Sequence, residues 1–133
     1  MRWFVMILVA LQPAIAWAEG YGFRTPSRNI YCNGSVDGGD ITCVIVERDG
    51  PPALPQTTPC DGVWGHHYSL NRQGPAFLTC GWQPRPSNYT NVAPYGVTGT
   101  FGAISCRSET TGLTCRNQSG HGFFLSRRSQ QIF

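Results

Sequence analysis

Any chemistry in this chain has to come from three histidines, His66, His67 and His121, and seven carboxylates. His121 sits between Gly120 and Gly122, a setting in which the backbone can come close to a ligand, with Arg127 downstream as a partner for an anion or carboxylate. The same two glycines equally suit a bulge or turn whose backbone angles other residues avoid, with His121 bonding a loop carbonyl. His66 and His67 are adjacent, so a strand points them to opposite faces and they do not readily share a metal. His121, one of that pair and Asp61 supply ligand types that zinc accepts, although nothing in their spacing requires it.

Other chemistries leave less trace. Asp37, Asp40, Glu47, Asp49, Asp61 and Glu109 fall mostly in loop-like segments and form no acid/base pair. There is no G-x-S-x-G elbow and no glycine loop leading into a helix to cradle phosphate. Trp64, Tyr68, Trp82, Tyr89 and Tyr95 cluster in the middle third, beside stretches rich in Asn, Ser and Pro. Flat amphipathic rings on an exposed face stack on sugars or on a protein partner. Trp64 reads as a core residue, whereas Trp82 and Tyr89 suit either packing or contact. The candidate ligand-binding set is therefore His121, Arg127, Trp82, Tyr89 and Asp61, with no residue assigned to catalysis, to a metal or to a cofactor. The ten basic residues are all arginine, and from Arg24 to Arg128 they are spread without a run. That leaves no basic patch for nucleic acid.

The elements that must position these residues begin after an export leader. Arg2 precedes an apolar run over residues 3–11, and Ala16-Trp17-Ala18 gives the small-x-small pattern for a cut before Glu19. The run is well short of the ~20 apolar residues that span a bilayer, so no membrane insertion is expected once residues 1–18 are removed. Residues 19–133 then form a single domain by length. All six cysteines lie in that part, and an even count in a small exported chain points to three disulfides made in an oxidising compartment. Zinc competes poorly, because no C-x-x-C knuckle is present.

Period-two alternation sorts the cysteines into hairpins. Ile30 and Cys32 share one face, as do Ile41, Cys43 and Ile45, with Thr42, Val44 and Val46 on the opposite side. Pairing Cys32 with Cys43 also sets Ile30 opposite Ile45, so two features agree on one register. The valine-rich second face needs something packed on it. Segment 49–59 carries four prolines and reads as a surface connection. Strands are expected near 66–70 and 75–81, closed by Cys60–Cys80, followed by a second Pro-containing loop over 82–94. A third hairpin pairs Cys106 with Cys115 around a turn at 109–112, and an aromatic strand follows His121. No 3.6-residue apolar period supports a substantial helix. The expected fold is all-β: a small disulfide-stapled antiparallel sheet or partly open barrel built from three cysteine-linked hairpins.

Several pieces together resemble one family. They are Phe23-Arg24-Thr25-Pro26-Ser27, Asn29-Ile30-Tyr31-Cys32, Cys60-Asp61-Gly62-Val63-Trp64-Gly65 and Gly112-Leu113-Thr114-Cys115-Arg116-Asn117. The stretch Gly120-His121-Gly122-Phe123-Phe124-Leu125-Ser126-Arg127 and the terminal Phe133 complete the pattern. The family is one of small exported bacterial proteins of unknown function. The resemblance implies export and disulfides, and it transfers no activity. It departs at position 28, where glycine is expected and Arg28 stands. In a bacterial chain the N-x-S/T sequons at Asn33, Asn88 and Asn117 are coincidental.

The resulting expectation is a monomeric, non-catalytic binding module for an envelope or extracellular glycan or protein, located in the periplasm or outside the cell. Two other classes stand beside it. One is a small hydrolase or metal-dependent enzyme using His121, Asp61 and one of His66 or His67. The other is an inhibitor of a secreted enzyme that inserts the proline-stiffened loop 51–59.

Overall fold

The computed structural model describes residues 22–35 and 39–133; the leader expected at 1–18, and Asp37, lie outside them. The described residues form ten strands. Five come from the first part of the chain: β1 (Phe23–Arg24), β2 (Ile30–Gly34), β3 (Asp40–Ile45), β4 (Val63–Asn71) and β5 (Phe77–Gly81). They are hydrogen-bonded in that order into one antiparallel sheet. The rest are β6 (Thr98–Phe101), β7 (Ile104–Glu109), β8 (Gly112–Arg116), β9 (Gly122–Leu125) and β10 (Gln130–Ile132). These make a second antiparallel sheet, also in chain order. The expected all-β architecture is present, with its strands divided over two open sheets.

Alternation builds the core between them. In β3, Ile41, Cys43 and Ile45 are buried while their neighbours are exposed or half-buried, as a one-sided strand requires. The register is Ile30 opposite Ile45 and Cys32 opposite Cys43, the one that a Cys32–Cys43 bridge and alternation together predict. One row across the first sheet runs Phe23, Cys32, Cys43, Tyr68, Leu78. Its counterpart in the second sheet runs Gly99, Cys106, Cys115, Phe123. Each sheet thus carries a buried cross-strand disulfide flanked by an aromatic on the next strand. The rows meet where the Tyr68 and Phe123 rings pack 5.8 Å apart. Fully burying an Ile, Leu or Phe side chain here contributes about 1.5–3 kcal/mol.

All three expected disulfides are formed, and they are of two kinds. Cys32–Cys43 and Cys106–Cys115 join directly opposed residues with Cα atoms 4.0 Å apart. Cys60–Cys80 spans 5.7 Å between Cα atoms and closes the β4–β5 hairpin from outside its ladder, because Cys60 precedes β4. Cys80 is exposed, unlike the four core cysteines.

Of two asparagines that bond to backbone, Asn29 extends the β2–β3 ladder and Asn117 joins segments that no strand pairing connects. Asn29 Nδ2 donates to Glu47 O and its Oδ1 accepts from Glu47 N, fixing the end of β3. Asn117 Nδ2 donates to Asn71 O and Gly74 O, while Oδ1 accepts from Ser119 N, Ser119 Oγ and His121 N. That single amide holds the β8–β9 loop against the β4–β5 turn of the other sheet.

Candidate functional site

The outer face of the first sheet is crossed by residues 82–93, a strap running from the end of β5 to β1. At its far end Arg24 N donates to Asn91 O at 2.9 Å and Ala93 N to Arg24 O at 2.8 Å, while Arg24 Nε reaches Tyr89 O. Pro84 and Pro86 lack amide donors, so this stretch cannot extend the sheet as a strand. Pro84, within the strap, is buried. The partner that the Val44 face requires is therefore this strap.

Its two ends are seated by rings on glycines. Tyr89 lies over Gly22, where a Cβ would stand 2.4 Å from the ring, and meets Tyr31 edge-on at 5.6 Å. Trp82 meets His67 edge-on at 6.1 Å, and a Cβ on Gly81 would stand 2.5 Å from His67 Nε2. Close approach of backbone and ring is what glycine permits at both places.

Between strap and sheet lies an open groove of about 450 Å³, floored by Tyr31, Thr42, Val44, His67 and Thr79 and walled by Trp82, Arg85 and Tyr89. Small-molecule sites have volumes in this range, roughly 300–1,000 Å³. The Trp82 indole is 79% exposed, which a packing role does not explain. His67 Nε2 is 2.9 Å from Trp82 O; a carbonyl only accepts, so that nitrogen carries the proton. Tyr31 is buried, and its hydroxyl has no hydrogen-bond partner among the described residues. An unmade bond at a buried hydroxyl costs about 1–3 kcal/mol.

Trp82 and Tyr89, chosen from sequence as contact residues, thus share this groove. The other three candidates lie elsewhere. His121 precedes β9 and Arg127 follows it, so the four residues of that strand, about 13 Å, separate the proposed pair. His121 N donates to Asn117 Oδ1 and its carbonyl accepts from Asn117 N, so the loop is held through the His121 backbone and the Asn117 amide, with a positive φ at Gly120 and not at Gly122. Arg127 pairs with Glu47 at 2.9 Å and faces Asp49 at 3.9 Å. It lines a second cleft of about 490 Å³ with Arg28, Glu109 and several hydroxyls. Asp61 is exposed ahead of β4, whereas Asn117 ties the His121 loop to the far end of that nine-residue strand. A strand that long spans roughly 25–30 Å, so Asp61 and His121 do not converge. His66 Nδ1 donates to Ile45 O at 2.7 Å. Among the described residues no three His, Cys, Asp or Glu side chains group to hold a metal ion.

Tyr31 and Arg85 are groove residues that sequence reasoning passed over, and His67 entered it only as a metal-ligand type. The available signal was the alternation that puts Tyr31, Val44 and His67 on one face; the strap that roofs them has no periodicity of its own.

Comparison with known families matches residues 3–133 to one described as a family of unknown function, DUF6636. The chain belongs to that family. No curated protein and no solved structure matches it. Several family-like motif residues have structural work in this DUF6636 chain. Trp64 Nε1 donates to Leu54 O, Gly65 underlies the Arg48 guanidinium, and Thr25 Oγ1 accepts from Ile30 N. Three disulfides fit an oxidising, exported environment. No helix among the described residues is long and apolar enough to cross a membrane.

Proposed function

We propose that this DUF6636 chain is a non-catalytic module that binds a glycan in the groove beneath residues 82–93. Residues 1–18 direct its export, and it acts as a monomer in the periplasm or outside the cell. The observation that carries the reading is the exposed Trp82 indole at the mouth of a preformed groove with a polar and aromatic floor. A sugar presents an apolar C–H face to such a ring and hydroxyls to the Thr42, Thr79 and Ser87 side chains beside it.

The test is a glycan array probed with the oxidised protein and with Trp82→Ala. Exposure of Trp82 means the variant folds with unchanged melting temperature, while affinity for the bound glycan falls at least tenfold, about 1.4 kcal/mol. Retained glycan binding by the variant contradicts the assignment.

A second reading has its own support. Pro55 to Pro59 are five consecutive exposed residues, braced by the Trp64–Leu54 bond behind them and by Cys60–Cys80 after them. An inhibitor that offers this loop to a secreted enzyme has such a shape. Its binding is lost on shortening the loop and is indifferent to Trp82.

A further inference from the structure

The polar groups of the groove are unequal in kind, and this bears on which sugar fits. The inference rests on the glycan reading and deepens it. None of the lining residues is a carboxylate, whereas Arg85 stands in the wall and His67 on the floor. Arg85 is exposed, and its guanidinium makes no hydrogen bond or ion pair with another described residue. Arg24 and Arg48, by contrast, are committed to carbonyl oxygens, and Arg107 and Arg127 to carboxylates. His67 Nε2 is already spent as a donor to Trp82 O. On the floor the Thr42 hydroxyl is paired with Ser69 Oγ, and the Tyr31 hydroxyl is buried with no partner among the described residues.

A neutral sugar presents hydroxyls that must donate as well as accept. The Thr42, Thr79 and Ser87 hydroxyls can accept from those groups, but no hydroxyl of a neutral sugar gives the Arg85 guanidinium the charge-assisted pair that a carboxylate does. An acidic sugar replaces a donor with an acceptor-only group. Its carboxylate matches the guanidinium fork with two parallel hydrogen bonds. Trp82, Gln83 and Arg85 also line a shallow depression that continues from the groove. A ring stacked on Trp82 there has a guanidinium and an amide at its edge.

We propose that the groove recognises a carboxylate-bearing sugar, a uronate or its equivalent, with the ring on Trp82 and the carboxylate on Arg85. The probes are a pectate pentamer, its methyl ester and a sulfated galactan pentamer, titrated calorimetrically into the oxidised protein, Arg85→Gln and Trp82→Ala. Arg85 is exposed, so its substitution leaves the melting temperature unchanged. The acid is expected to bind at least tenfold tighter than its ester at low salt, with the gap narrowing as salt screens the pair. Arg85→Gln brings the acid down to the level of the ester and leaves the ester unchanged. Trp82→Ala weakens both.

An ester that binds as tightly as the acid, and stays sensitive to Trp82, overturns the carboxylate assignment while the groove reading stands. A gap that survives Arg85→Gln does the same. A sulfated pentamer that outbinds the pectate shows recognition of anionic sugars without a carboxylate preference, and also overturns it. If none of the three probes binds and no saccharide on the array does, the groove reading fails and this inference fails with it.

Discussion

Arg28 holds a backbone φ of 63°, the only positive value at a non-glycine among the described residues. A residue with a Cβ in this left-handed region is strained by roughly 1–2 kcal/mol, and glycine escapes that strain while losing about 0.5–1 kcal/mol of chain entropy. Arg28→Gly is therefore expected to stabilise the fold by about 0.5–1 kcal/mol, seen as a higher urea midpoint. An unchanged or lower midpoint contradicts the strain. The family-like pattern puts glycine here, and the dihedral angle supplies the physical reason. Tyr68 is a second such case. Its hydroxyl is buried with no described partner at hydrogen-bonding geometry, and desolvation raises its pKa above the ordinary tyrosine value, an effect that the nearby Ala53 backbone and the Arg48 charge offset only in part. Above pH ~10 the unfolded tyrosine ionises while the folded one stays protonated, so stability falls as pH rises through that window. Tyr68→Phe keeps the ring against Phe123, removes this component, and leaves stability at neutral pH unchanged or raised. Urea midpoints of the two proteins at pH 9 and pH 11 measure it: a steeper loss in the variant refutes the assignment.

Among the elements, the cysteine hairpins were the most legible. Pairing Cys32 with Cys43 set Ile30 opposite Ile45 in agreement with alternation, and the structure has that register. The Cys106–Cys115 hairpin was readable for the same reason, its turn falling between Glu109 and Gly112 as expected. What alternation does not encode is contact across the two sheets and across the strap. Asn117 meets Asn71 and Gly74 more than forty positions away in sequence, and Arg24 meets Tyr89 through 65. Such bonds are single, directional and without period. The same contrast separates the disulfides chemically. Cys32–Cys43 and Cys106–Cys115 lie in the core, whereas Cys80 is at the surface. Thiol exchange needs access to a sulfur. Under limiting reductant with iodoacetamide trapping, Cys60 and Cys80 should be alkylated first, the other four only under denaturing conditions. Labelling of a core pair ahead of them contradicts the burial pattern.

At the scale of the whole molecule, one half of the chain makes one sheet, the other half makes the second, and the link between them is laid across the outer face of the first. The strap therefore does two things. It connects the sheets, and with Trp82 and Tyr89 it makes the groove that the functional reading depends on. Sequence reasoning found those two aromatics but dispersed the rest of its site to His121, Arg127 and Asp61, because nothing local reveals that 82–93 returns over Tyr31 and His67. The most direct test uses the two tryptophans that lie beyond residue 18, each of which reports on one hypothesis. Trp64 Nε1 is bonded to Leu54 O behind the exposed proline loop, and Trp82 is open at the groove. In a titration of the ¹⁵N-labelled oxidised protein with the pectate pentamer, the Trp82 indole N–H resonance should shift with the Tyr31, Thr42 and Thr79 amides while Trp64 stays still. Shifts confined to Trp64 and residues 55–59, or no shift at Trp82, would contradict a binding site beneath the strap.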